Sequence, residues 1–161
     1  MIPNRLVLDT NVCLDLFVFC DPRCAALAAA LQEGSVEAVT RADCRNEWLA
    51  VLQYSCFALE APQRAQCIAR FDAVVRCMVG ADVGHANAMP LPRCTDKDDQ
   101  KFLELARDSG AAMLLTKDRA LLKLAGKCRR AGLYAIIKPE AWTASATSAG
   151  ARPLSAAAVP G

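Results

Sequence analysis

The sequence holds a single histidine, His85, among its 161 residues, so neither a histidine-based metal site nor a catalytic histidine pair can be assembled from it. It also lacks any Cys-x-x-Cys pair. The nine cysteines, at positions 13, 20, 24, 44, 56, 67, 77, 94 and 128, are odd in number and scattered. That pattern excludes a zinc site of the usual spacing and a thioredoxin-like redox motif, and it makes a poor disulfide framework. Most of the thiols stand among Leu, Ala, Val and Phe in segments with helical spacing, where reduced cysteine behaves as a small apolar side chain. No stretch approaches the roughly 18 uncharged residues of a membrane span, although the hydrophobic fraction is 54%. Asp9 and Asp15 interrupt what would be the apolar part of a signal peptide, so residues 1–20 are expected to be folded protein and the chain cytoplasmic.

What remains is a chain of one-domain size with alternating strand and helix signals. Arg5 to Asp9 is a short apolar run of the kind found in strands covered on both faces, and a helix with Val12, Leu16 and Cys20 at spacings of four follows it. Asp21-Pro22 opens a second helix that ends at Glu33-Gly34. Val36 to Thr40 reads as a strand. The pattern then predicts a helix carrying Glu47, Trp48, Val51, Leu52 and Tyr54, and another from Pro62 to Met78. After an irregular stretch from Gly80 to Pro92, a helix starts at Thr95 or Asp96, with Thr95 and Asp98 resembling a capping box, and ends near Gly110. Ala112 to Thr116 and Leu133 to Ile137 read as strands flanking a short helix from Leu121 to Ala125, and Pro139 to Trp142 as a closing helical turn. Strands separated by crossover-length helices predict a three-layer α/β/α sandwich around a mainly parallel sheet of four to five strands. The expected domain is 1–142, followed by a disordered Ala/Ser/Gly/Pro-rich tail over 143–161.

Ligands of such sheets gather beyond the C-terminal ends of the strands. Asp9 ends the first strand and Asp118 follows the third, so parallel strands leave both carboxylates at one edge. Asp99 shares a helical face with Phe102, Leu103 and Ala106, the face the helix buries. A carboxylate at the head of a buried stripe costs several kcal/mol unless a cation accompanies it. Asp96, three residues earlier, reaches toward the same place. Glu47, near the start of the helix after the second strand, is by itself an ordinary helix glutamate, and Glu37 and Asp43 lie close to it in sequence. Several carboxylates without histidine or paired thiols describe a hard, all-oxygen site suited to Mg²⁺ or Mn²⁺. Two such ions activate water and steady the leaving oxygen in phosphodiester hydrolysis, with no need of a side-chain nucleophile.

The net charge is only +2, but Lys117, Arg119, Lys123, Lys127, Arg129, Arg130 and Lys138 stand together against the single acid Asp118. Cations near a helix C-terminus explain part of this run, and a phosphate-binding rim beside an acidic pocket explains it equally well.

In their order and separations, Val7-Leu8-Asp9-Thr10-Asn11-Val12, Glu47, the Asp96 to Ala106 segment, Leu114-Leu115-Thr116-Lys117-Asp118 with Leu121-Leu122, and Pro139-Glu140-Ala141-Trp142 resemble the PIN-domain nucleases, in particular the toxin-like branch of bacterial toxin-antitoxin modules. The resemblance implies a catalytic, metal-binding quartet of Asp9, Glu47, Asp99 and Asp118, with Asn11 and Thr116 in support and Lys117, Arg119 and Lys123 on the substrate path. It further implies RNA as substrate and an antitoxin protein as partner, and leaves a homodimer open. The rival within the same fold is a scaffold that binds RNA or protein without cleavage. A haloacid-dehalogenase-type phosphatase would need a second aspartate where Asn11 stands, and a receiver domain would need adjacent acids before the end of the first strand.

Overall fold

The computed structural model describes residues 1–80 and 89–144. His85, most of the irregular stretch and the expected tail from residue 145 onward lie outside the described residues. Five parallel strands form one sheet in the order β3-β2-β1-β4-β5, where β1 is Ile2–Leu8, β2 Glu37–Thr40, β3 Val75–Cys77, β4 Ala111–Leu115 and β5 Ala135–Ile137. Helices cover both faces, as the alternation of element types predicts. The sheet's centre, β1 between β2 and β4, is where the chain reverses its direction of winding, and in such sheets this is the point at which a crevice opens beyond the strand ends.

Alternation within the strands divides the core in two. Leu6 and Leu8 of β1, Ala38 of β2 and Leu115 of β4 face helices α1 (Thr10–Phe17), α2 (Ala25–Glu33) and α4 (Ala61–Val74), packing on Phe17, Leu27 and Phe71. Val7, Val39, Leu114 and Ile136 point the other way, onto α5 (Gln100–Asp108) and α7 (Ala125–Arg130), where Phe102, Leu103, Ala106 and Cys128 meet them. Helix α3 (Ala42–Val51) sits at the margin, giving Trp48 to the first core and Cys44 to the second. Six of the nine cysteines are buried and none is disulfide-bonded, in keeping with thiols used as small apolar side chains.

The helix expected to run to Met78 stops at Val74, and Val75–Cys77 instead pairs with β2 in the register Ala38↔Val75. The reason is local: adjacent β-branched residues resist a last helical turn, and the backbone beyond them satisfies the otherwise open edge of β2. Helix α7 is also additional to the predicted elements, since Gly126 and three cations hide the one buried side chain, Cys128, that holds it down. The expected Thr95–Asp98 capping box does not form. Asp96 caps a single 3-10 turn, Lys97–Asp99, by accepting from the Asp98 amide at 3.0 Å, and α5 follows that turn. Helix α2 ends as expected at Gly34, whose φ of 75° is the left-handed geometry that favours glycine.

Candidate active site

Asp9 follows β1 directly and caps α1, its Oδ1 accepting from the Thr10 amide at 2.6 Å. Its Oδ2 accepts from the Thr116 hydroxyl at 2.6 Å, a bond available because β1 and β4 are parallel neighbours that end together. Thr116 Oγ1 in turn accepts from the Asp118 amide at 3.0 Å. Asp118 caps α6 (Arg119–Leu122), accepting from the Ala120 amide at 2.7 Å. A single hydroxyl thus ties the two strand-end acids to one another.

Glu47 reaches this edge from α3. Its Oε2 accepts from the Thr10 hydroxyl, and its Oε1 from the Lys101 ammonium at 2.9 Å. The two other acids near it in sequence are engaged elsewhere: Glu37 with Arg5 and Arg76, Asp43 with Arg41. Asp99, half-buried where the 3-10 turn passes into α5, completes the group. Burial pushes its carboxyl up to about 7, and the negative charges of Asp9, Asp118, Asp96 and Glu47 add to the shift. Burial likewise raises Asp9 to about 6, against the pull of its Thr116 and Thr10 hydrogen bonds and with help from Glu47 and Asp118. The five expected acids therefore feel one another across a single patch, with Asp96 at its exposed rim.

The expected supporting residues divide. Thr116 holds an acid; Asn11 Oδ1 accepts from the Lys117 amide at 3.3 Å and so holds the loop between β4 and α6 instead. Of the expected substrate-path cations, Lys117 turns inward and pairs with the buried Asp15 at 2.7 Å. Arg119 and Lys123 stand exposed, and among the described residues neither makes an ion pair within 4 Å. Three participants went unnoticed in the sequence. Thr10 and Lys101 act only through contacts between α1, α3 and α5, which no spacing along the chain displays. Asp15 did leave a signal, as a lone acid among Leu14, Leu16 and Phe17.

The donors are all oxygen, and their crowding favours positive charge, so donor chemistry and electrostatics both fit a hard divalent cation. The acids surround the patch without converging: among the described residues no three His, Cys, Asp or Glu side chains are close enough to share one ion. A cavity of about 600 Å³ lies elsewhere, between α1, α2 and α4; Asp15 and Asp21 border it, and none of the five acids of the patch does.

The structure is thus a parallel α/β/α sandwich with a patch of acids, Asp9 buried among them, beyond the ends of its central strands. The chain belongs to the PIN-domain family, whose model matches residues 5–120 and so takes in Asp9, Glu47, Asp99 and Asp118. PIN domains are generally nucleases and typically use divalent metals. No curated protein matches the chain.

Proposed function

We propose that this protein is a divalent-metal-dependent endoribonuclease, with Asp9, Glu47, Asp99 and Asp118 as the ligands of Mg²⁺ or Mn²⁺ and Asp96 at the edge of the same site. The observation that carries the reading is the gathering of Asp9, Asp118, Glu47 and Asp99 beyond the ends of β1 and β4, where burial and mutual repulsion push Asp99 up to about 7 and Asp9 up to about 6. When bound, the cation supplies a Lewis acid for attack of water on a phosphodiester. The chain's own part is to hold the acids: Thr116 orients Asp9, Thr10 orients Glu47, and the Asp118 carboxylate is fixed by the first amides of α6. Arg119 and Lys123 border the loop that carries Asp118 and are suited to phosphate contacts. On this reading the working unit is 1–142, the compartment is the cytoplasm, and the protein is the toxin of a toxin-antitoxin pair, with an antitoxin protein and a second copy as candidate partners.

Digestion of end-labelled single-stranded RNA tests it. Cleavage is expected with Mg²⁺ or Mn²⁺ and not in chelator, leaving 5′-phosphate and 3′-hydroxyl ends because water, not the 2′-hydroxyl, attacks phosphorus. Cleavage that persists in chelator, or 2′,3′-cyclic phosphate products, would overturn it. The lack of convergence among the acids and the Lys101–Glu47 pair favour one other reading, a PIN-fold scaffold that binds RNA or protein without cleavage. Such a scaffold would keep RNA binding yet show no metal-dependent product.

A further inference from the structure

Lys101 is the one cation among the described residues within ion-pair distance of any of the five acids. Its stem lies along α5 beside the Phe102 ring, with Nζ 5.3 Å from the ring centroid. The ammonium donates to Glu47 Oε1 at 2.9 Å and to the Asp98 carbonyl at 2.6 Å, and the side chain is only 19% exposed. Arg41 and Lys117 are engaged elsewhere, Arg41 bridging Asp43 and Glu104 and Lys117 holding Asp15, while among the described residues the exposed Arg119 and Lys123 pair with no acid. With Thr10 on the second oxygen of Glu47, each oxygen of that carboxylate already accepts one hydrogen bond.

We infer that Lys101 is the resident cation of the acid site: it neutralises Glu47 in the metal-free protein and competes with a divalent cation for that carboxylate. Two positive charges cannot share one carboxylate a few ångströms apart without strong repulsion, so lysine and metal compete for Glu47. A flexible four-carbon stem allows the exchange, and the Asp98 carbonyl keeps the displaced ammonium at the site. Lys101 is thereby a positioning residue, setting where Glu47 points and how tightly metal binds. The displacement rests on the metal-dependent reading proposed above; the pairing in the metal-free protein does not.

The test uses the full chain with Lys101→Met, which keeps the stem and removes the charge, Lys101→Arg, which keeps the charge, and Glu47→Gln alone and combined with Lys101→Met. In chelator, Lys101→Met should lower the melting temperature, and adding Glu47→Gln should recover part of the loss because the orphaned charge is gone. Additive effects would overturn the pairing. In Mn²⁺ titration calorimetry, Lys101→Met should bind about tenfold more tightly than wild type, equivalent to about 1.4 kcal/mol, while Lys101→Arg stays near wild type. Unchanged or weaker Mn²⁺ binding by Lys101→Met would overturn the competition. Absence of Mn²⁺ binding in wild type and all variants would overturn the metal reading and the displacement with it, and the cycle in chelator would still decide the pairing.

Discussion

Glu47 and Trp48 are neighbours on α3, yet they belong to regions built on opposite terms. Trp48 is 1% exposed and packs with Phe17 and Phe71 at ring separations of 6.0 and 5.3 Å, so its packing removes apolar surface from water. Glu47 lies one residue earlier in a patch where buried and half-buried carboxylates repel one another. The first region stabilises the domain whatever the solution contains. The second is destabilised by its own charge and relieved only by protons, by Lys101 or by a bound cation. The apolar layer can therefore bear the cost of the acidic edge, and substitutions in the two regions should separate stability from activity.

The largest effect on stability is expected in the apolar region. Phe71→Ala removes a buried ring that packs on Phe17 and Trp48 and should cost about 3–5 kcal/mol, measured as a shift of the urea midpoint. A loss under about 1 kcal/mol would show that this layer is not what supports the acid site.

A smaller effect, of distinctive sign, is expected at the acidic edge. Asp9 and Asp99 titrate near 6 and 7 in the folded protein, against about 4 unfolded. Between about pH 4 and pH 7 the folded state then holds more protons than the unfolded one, so in chelator stability should fall as pH rises through that window. Asp21 and Asp43, held near 2 by Arg23 and Arg41, act in the opposite sense but only below about pH 4. Melting curves from pH 4.5 to 7.5 check this, and the slope should flatten in the Asp9→Asn/Asp99→Asn double variant. Stability that rises across the window would remove the contrast between the two regions.

The smallest effect belongs to the exposed cations. Neutralising Arg119 and Lys123 should leave melting unchanged and weaken single-stranded RNA binding, flattening the salt dependence by about 0.7 in log–log slope for each phosphate that the variant no longer neutralises. An unchanged slope would take both residues off the substrate path. Lys117→Met, by contrast, should lower stability, because it leaves the buried Asp15 unpaired.

The contrast also explains what was legible in the sequence. Parallel strands that end just before Asp9 and Asp118 put two acids at one edge by topology alone, and Asp99 at the head of a buried stripe announces itself by periodicity. The five-stranded parallel sheet follows from the same patterns, except for β3, where Ile68, Phe71 and Val75 carry the helical spacing of α4 into the strand. The apolar layer leaves its period in the chain because each helix must present a stripe to the sheet. The partners of the acids leave none: Thr10, Lys101 and the Lys117–Asp15 pair depend on how α1, α3, α5 and the β4–α6 loop meet. Glu47 shows the same limit, since only the packing of α3 separates it from Glu37 and Asp43, both of which the structure ties to arginines.

The most direct measurement is cleavage of a labelled single-stranded RNA in Mn²⁺ by wild type, Asp9→Asn and Asp99→Asn, each checked for folding by circular dichroism. Both substitutions keep side-chain shape and remove a repelling charge. The account predicts that cleavage falls by about a hundredfold or more in each variant while the metal-free melting temperature at neutral pH is equal to or above that of wild type. Full cleavage by both folded variants would contradict it.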